Sequence, residues 1–138
     1  MSLPKASLSL ARLGHLLGEQ RYLDSAERAL RCAWDNIEQA AYAHAAFLQA
    51  LEEYLYPPQL IVIRGDNAAE AWQTSLNAHY ASRRFCFLIP AHETNLPGLL
   101  AERKPNDKGT RAYACSGMHC HAPADSLESL LTQLEIAE

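Results

Sequence analysis

Pro57-Pro58-Gln59-Leu60-Ile61-Val62-Ile63-Arg64-Gly65-Asp66-Asn67 is where the chain changes period. Leu60 to Ile63 shows neither the alternation of a half-exposed strand nor the spacing of an amphipathic helix. An unbroken apolar run of that length marks a strand covered on both faces. The prolines ahead of it stop the preceding helix, because proline lacks the amide donor and restricts the residue before it. Asn67, with Glu70 three residues on, reads as a capping box for a helix that carries Trp72, Leu76 and Tyr80 inward. Phe85-Cys86-Phe87-Leu88-Ile89 is a second apolar strand. Strand, helix and strand over about thirty residues form a βαβ unit, so the two strands are expected to be parallel with a right-handed crossover.

On the C-terminal side, Pro90 to Leu100 reads as a loop with a short helical turn, and Lys104 to Gly109 as a polar turn. Arg111 to Cys115 reads as a third strand. A tight loop and a short return strand through His121 follow, closed by Pro123. Asp125 or Ser126 caps a last helix with Leu127, Leu130, Leu131 and Leu134 on one stripe, and Asp125 with Glu128 makes a second capping box. On the N-terminal side, apolar residues recur at spacings of three and four. They predict helices over Leu8–Leu17, ended by Gly18, then Tyr22–Gln39 and Tyr42–Tyr56. The fold class is α/β: a helical segment over 1–57, then a small α/β layer with a C-terminal helix over 58–138.

The chain has 138 residues, is 49% hydrophobic and 20% charged, and carries a formal net charge of -4. Its Lys and Arg are scattered, which argues against a nucleic-acid surface. No apolar run approaches the ~20 residues that cross a bilayer, so no membrane partner is expected. A signal peptide's apolar core is missing, which points to the cytoplasm, where the four cysteines should mostly be thiols.

Gly18-Glu19-Gln20-Arg21-Tyr22-Leu23-Asp24-Ser25-Ala26-Glu27-Arg28-Ala29-Leu30 resembles a hairpin of α/α-toroid proteins of the six-hairpin glycosidase-like class. The stretch from Pro57 to Asp66, together with Ala112-Tyr113-Ala114-Cys115 through Cys120, Pro123 and Leu127, is more specific. It resembles the C-terminal end of thioredoxin-domain-containing proteins of the spermatogenesis-associated type. The resemblance implies an N-terminal thioredoxin-like domain and a central toroid elsewhere in a larger parent. That domain's Cys/His motif has no counterpart here. The chain is then a C-terminal module that closes or buttresses the toroid, with no complete active site of its own. Met1-Ser2-Leu3 reads as an expression scar, in keeping with a piece cut from a longer protein. The expected partner is the remainder of the parent, and the isolated piece is expected to form a homodimer through the helices before Pro57.

Cys115 and Cys120 are the chief chemical candidates. If Ser116 to His119 form a four-residue loop, the two cysteines oppose each other across a hairpin at ~4.5–5.5 Å between Cα atoms, within reach of a disulfide. Structural thiols, a reversible disulfide serving as a redox accessory, and a metal pair are the three readings. Zinc needs three or four convergent ligands, and Cys115, His119 and Cys120 are the candidates. His121 follows Cys120 directly on a strand and points to the other face. Asp66, Asn67, His92 and Glu93 follow the two parallel strands, where α/β sheets place ligands, and form a candidate edge for a small ligand. Helix capping and a solvated loop are the plainer reading of the same residues. Cys32 and Cys86 read as buried inert packing, Trp34 and Trp72 as core, and His15 and His44 as half-buried. No catalytic or phosphate-binding motif is present and no cofactor is implied.

Overall fold

The computed structural model describes residues 2–136; Met1 of the leading tripeptide, and Ala137 and Glu138, lie outside them. The chain divides into two compact units, Met1–Pro57 and Pro58–Glu138.

The first unit is helical: α1 (Leu3–Leu17), α2 (Gln20–Gln39), a 3-10 turn (Ala41–Ala43) and α3 (Ala45–Leu55). The first helix starts earlier than its apolar stripe predicts. Pro4 sits in its first turn, where a missing amide donor costs nothing. The third predicted helix is split, because the 3-10 turn at Ala41–Ala43 takes up its first residues. A Cβ on Gly14 would lie 2.6 Å from Leu23 Cδ2, so only glycine permits the approach of α1 to α2. The buried apolar residues are mostly small: Ala11, Ala26, Ala33 and Ala50, with Leu30 and Ile37. Polar ties supplement them. The buried Ser7 hydroxyl donates to the Ala26 carbonyl at 3.0 Å. Arg12 donates to both carboxylate oxygens of Glu53, at 2.9 and 2.6 Å, linking α1 to α3. Two expectations fail here. Trp34 is 46% exposed and Cys32 is also exposed. The buried stripe of α2 is Ala26, Leu30, Ala33 and Ile37. Each helical residue turns the chain by about 100°, so the neighbours of Ala33 rotate off that stripe.

The second unit comprises β1 (Gln59–Arg64), α4 (Asn67–Asn77), β2 (Arg84–Ile89), a 3-10 turn (Gly98–Glu102), β3 (Arg111–Ser116), β4 (His119–Cys120) and α5 (Leu127–Gln133). The sheet order is β2-β1-β3-β4. β1 and β2 are parallel, with Ile61 beside Cys86, as the βαβ reading requires. β3 returns antiparallel to β1, with Ile61 beside Ala114, so the sheet is mixed. Ile61, Ile63, Ala112 and Ala114 face one side and pack with Ala69 and Leu76 of α4 and Leu130 and Leu131 of α5. Leu60, Val62 and Tyr113 are buried on the other face. The α/β fold with N-terminal helices and a C-terminal helix is therefore the one the apolar periods predict.

Details depart from it. α4 ends at Asn77, so Tyr80 lies beyond it and is 93% exposed, while Trp72 is only partly buried against the core. The N-cap of α4 is Asp66 rather than Asn67, and no side chain caps it. Asp66 Oδ1 instead accepts from the Ala91 amide at 3.4 Å. At α5, Ser126 accepts from the Ser129 amide at 3.1 Å. Asp125 is taken by Arg111, which donates at 2.6 and 3.0 Å. A bidentate, charge-assisted pair is stronger than one cap bond, so the second capping box does not form.

Candidate functional site

The C-terminal hairpin is built by its turn. Ser116 pairs with His119 and Cys115 with Cys120, leaving Gly117 and Met118 as the two central residues. Gly117 takes a φ of 59°, which a glycine at the first central position supplies and most residues resist. The His121 amide donates to the Ala114 carbonyl at 2.9 Å. That bond makes Cys115 and Cys120 a non-hydrogen-bonded pair, the kind in which opposed residues come closest. Their Cα atoms are 4.0 Å apart and the sulfurs are joined in a disulfide. The expectation of thiols holds for Cys32 and Cys86 and fails for this pair. Register alone brings these two sulfurs into bonding range. Cys120 is exposed and Cys115 half-buried.

Arg103 completes the site. The 3-10 turn Gly98–Glu102 delivers it, and hydrogen bonds fix the backbone on each side. Arg64 Nη1 donates to the Arg103 carbonyl at 2.7 Å, and the Tyr113 hydroxyl donates to the Lys104 carbonyl at 2.7 Å. The Arg103 guanidinium lies 5.1 Å from the centroid of the Tyr113 ring, a cation–π contact. From there Nη2 reaches Cys115 Sγ at 3.3 Å and Cys120 Sγ at 3.5 Å. One positive charge thus faces both sulfurs of an accessible disulfide. Cys86 has a different environment: burial pushes its thiol up to about 11, which keeps it protonated and unreactive.

The sheet's carboxyl edge does not converge as a single crevice. Asp66 and Asn67 border an open hollow of about 380 Å³ with Ala91, Asn106 and Thr110. Glu93 borders an adjoining cavity of about 260 Å³, which is lined also by Arg64 and shares Ala91 and Pro105 with the first. His92 lines neither and stands exposed, with Nε2 3.5 Å from the Glu93 carboxylate. Among the described residues no group of three or more His, Cys, Asp or Glu side chains is placed to hold a metal ion. Cys115 and Cys120 have spent their sulfurs on each other, so the set with His119 lacks its thiolates.

Two residues escape a reading of the sequence. Arg64 has one local signal, a charge at the end of an otherwise apolar buried strand. Arg103 has none, because its contact with Cys115 spans twelve residues and depends on a loop. Compared with protein families, curated proteins and solved structures, the chain matches none.

Proposed function

We propose that the α/β unit is a thiol–disulfide accessory module that accepts electrons from a dithiol partner through Cys115 and Cys120. The observation that carries this is the Arg103 guanidinium, within 3.5 Å of both sulfurs. A partner thiolate attacks the exposed Cys120 Sγ, forming a mixed disulfide. The Cys115–Cys120 bond breaks and Cys115 leaves as a thiolate beside Arg103. The partner's second thiol, as thiolate, then attacks the partner's own sulfur in the mixed disulfide, and Cys120 leaves as a thiolate that takes up a proton. The partner ends oxidised to a disulfide, and Cys115 and Cys120 end reduced, having taken two electrons and two protons. A stabilised leaving thiolate departs faster, and stabilising the reduced pair makes the disulfide a better oxidant. In the parent that the resemblance implies, the thioredoxin-like domain is the natural source of such a dithiol.

The test is the rate of reduction of the disulfide in the intact chain by dithiothreitol, read by alkylation and mass spectrometry. Arg103→Ala is expected to slow it about tenfold, the effect of removing one opposite charge beside a partly exposed thiolate. Arg103→Lys, which keeps the charge, should recover most of the rate. Equal rates for wild type and Arg103→Ala would refute the proposal.

A second reading, the buttress of a larger protein, draws on the helical unit. Leu3, Leu13, Trp34, Leu48 and Leu55 there are 39–58% exposed. Exposed apolar area costs about 25 cal/mol per Å², so a covering partner is favoured. In this reading the parent supplies the cover, and the isolated chain supplies it from a second copy. Light scattering at micromolar concentration should then give a dimer; a monomer would sink the buttress reading and leave the redox one standing.

A further inference from the structure

We infer that the cavity at the carboxyl end of β1 binds a small carboxylate, anchored by Arg64. This is independent of the disulfide chemistry. Arg64 is 3% exposed, so its charge is out of water. A buried cation is costly unless a counter-charge or a full set of acceptors offsets it. Nη1 donates to the Arg103 carbonyl at 2.7 Å, and Nη2 to the Glu93 carbonyl at 2.8 Å and the Pro90 and Ala91 carbonyls at 3.3 and 3.4 Å. These are dipoles, not charges. Among the described residues no carboxylate is paired with Arg64: Glu93, whose backbone carbonyl Arg64 holds, has its carboxylate 3.5 Å from His92 Nε2. Arg64 Nε has no acceptor at all. Nε is itself closed off from solvent, so it is the uncompensated charge of the tethered guanidinium at the cavity lining, rather than a free donor, that favours an anion there.

The cavity defines which anion. Its volume is about 260 Å³. At about 30 Å³ per water in the liquid, that is room for roughly eight water-sized groups, so a small ligand fits and a large one does not. Arg64 and Lys104 contribute positive charge to the lining and Glu93 a negative one, so one net positive charge remains. A monoanion balances it; a dianion is overcharged and meets Glu93. Leu96, Ala101 and Pro105 supply an apolar wall, and Thr94 and Asn95 supply polar groups. One charged end, a short apolar body and a small volume describe a short-chain aliphatic carboxylate. The position, past the ends of parallel β1 and β2, is where α/β sheets hold ligands.

The test uses the full chain, labelled with nitrogen-15, titrated with sodium butyrate and with sodium chloride at matched ionic strength. Butyrate is expected to shift the Arg64 Nε–Hε signal and the Thr94 and Asn95 amides along a saturable curve that chloride does not reproduce. Lys104→Gln, an exposed substitution that leaves the backbone bonds in place, should weaken binding about threefold, as for one partly exposed charge. Shifts that never saturate, or that chloride matches, would overturn the inference. So would inorganic phosphate binding more tightly than butyrate, which would show a site selecting charge rather than a carboxylate with an apolar body.

Discussion

The two units stabilise themselves by different means. In the helical unit the buried apolar residues are chiefly alanines, with Leu30 and Ile37 the large ones. The α/β unit buries four alanines as well, but sets beside them Leu60, Ile61, Val62, Ile63, Leu76, Leu100, Tyr113, Leu130, Leu131 and Leu134. Hydrophobic stabilisation scales with the apolar area removed from water, and an alanine removes little. The helices gain their geometry from close approach at Gly14 and from polar ties, Ser7 to Ala26 and Arg12 to Glu53. Such ties fix position more than they add stability. The α/β unit has the reverse economy. Its strands and helices share a large apolar core, and the polar contacts of its candidate sites lie in the loops around Arg64 and Arg103. A rigid core with chemistry on its loops is the usual way a scaffold carries a site.

The largest effect expected from this difference is in core truncation. Ile61 is fully buried among large neighbours, so Ile61→Ala removes contacts and leaves a cavity. A cost of about 2–5 kcal/mol follows. Leu48, in α3, is 39% exposed, and Leu48→Ala should cost under about 1 kcal/mol in the monomer. Urea unfolding of the two variants measures both. Similar losses would break the contrast, because they would mean that the helical unit relies on large apolar side chains after all.

The same contrast explains what was legible in the sequence. The α/β core was, because an unbroken apolar strand has few alternatives and the period of Leu127, Leu130, Leu131 and Leu134 fits one helix face. The helical unit was less so. Its alanines blur the stripe, so the apolar period alone places Trp34 and Cys32 inward. Caps failed for two reasons: Asp125 has a stronger partner in Arg111, and the helix expected to be capped by Asn67 starts one residue earlier, with Asp66 at its N-cap. At the candidate site, the register of Cys115 against Cys120 followed from a Gly-containing turn of fixed length. The bond between them did not, since spacing places sulfurs together without setting their oxidation state. Arg103 and Arg64 act across loops, and no local pattern encodes a loop's path.

The smallest effect expected lies in the helical unit and concerns pH. His15, on α1, is half-buried, its Nδ1 has no hydrogen-bond partner, and burial holds its pKa below the ordinary histidine value. The charged form is thus disfavoured in the folded state, whereas in the unfolded chain it titrates at about 6.5. Between the folded value and 6.5 the unfolded chain binds more protons. The neutral imidazole's contribution is therefore fully present above pH 6.5 and declines as pH falls through that window. Glu27, paired with Arg31, and Asp125, paired with Arg111, are held below the usual carboxylate range. Their contributions are present above the unfolded carboxylate values and are lost as pH falls through their lowered folded values, below the histidine window. Urea midpoints between pH 7.5 and 5 should fall more steeply for wild type than for His15→Leu, which cannot titrate. Parallel slopes would show that His15 reaches water when protonated, and that α1 is packed more loosely than its neighbours imply.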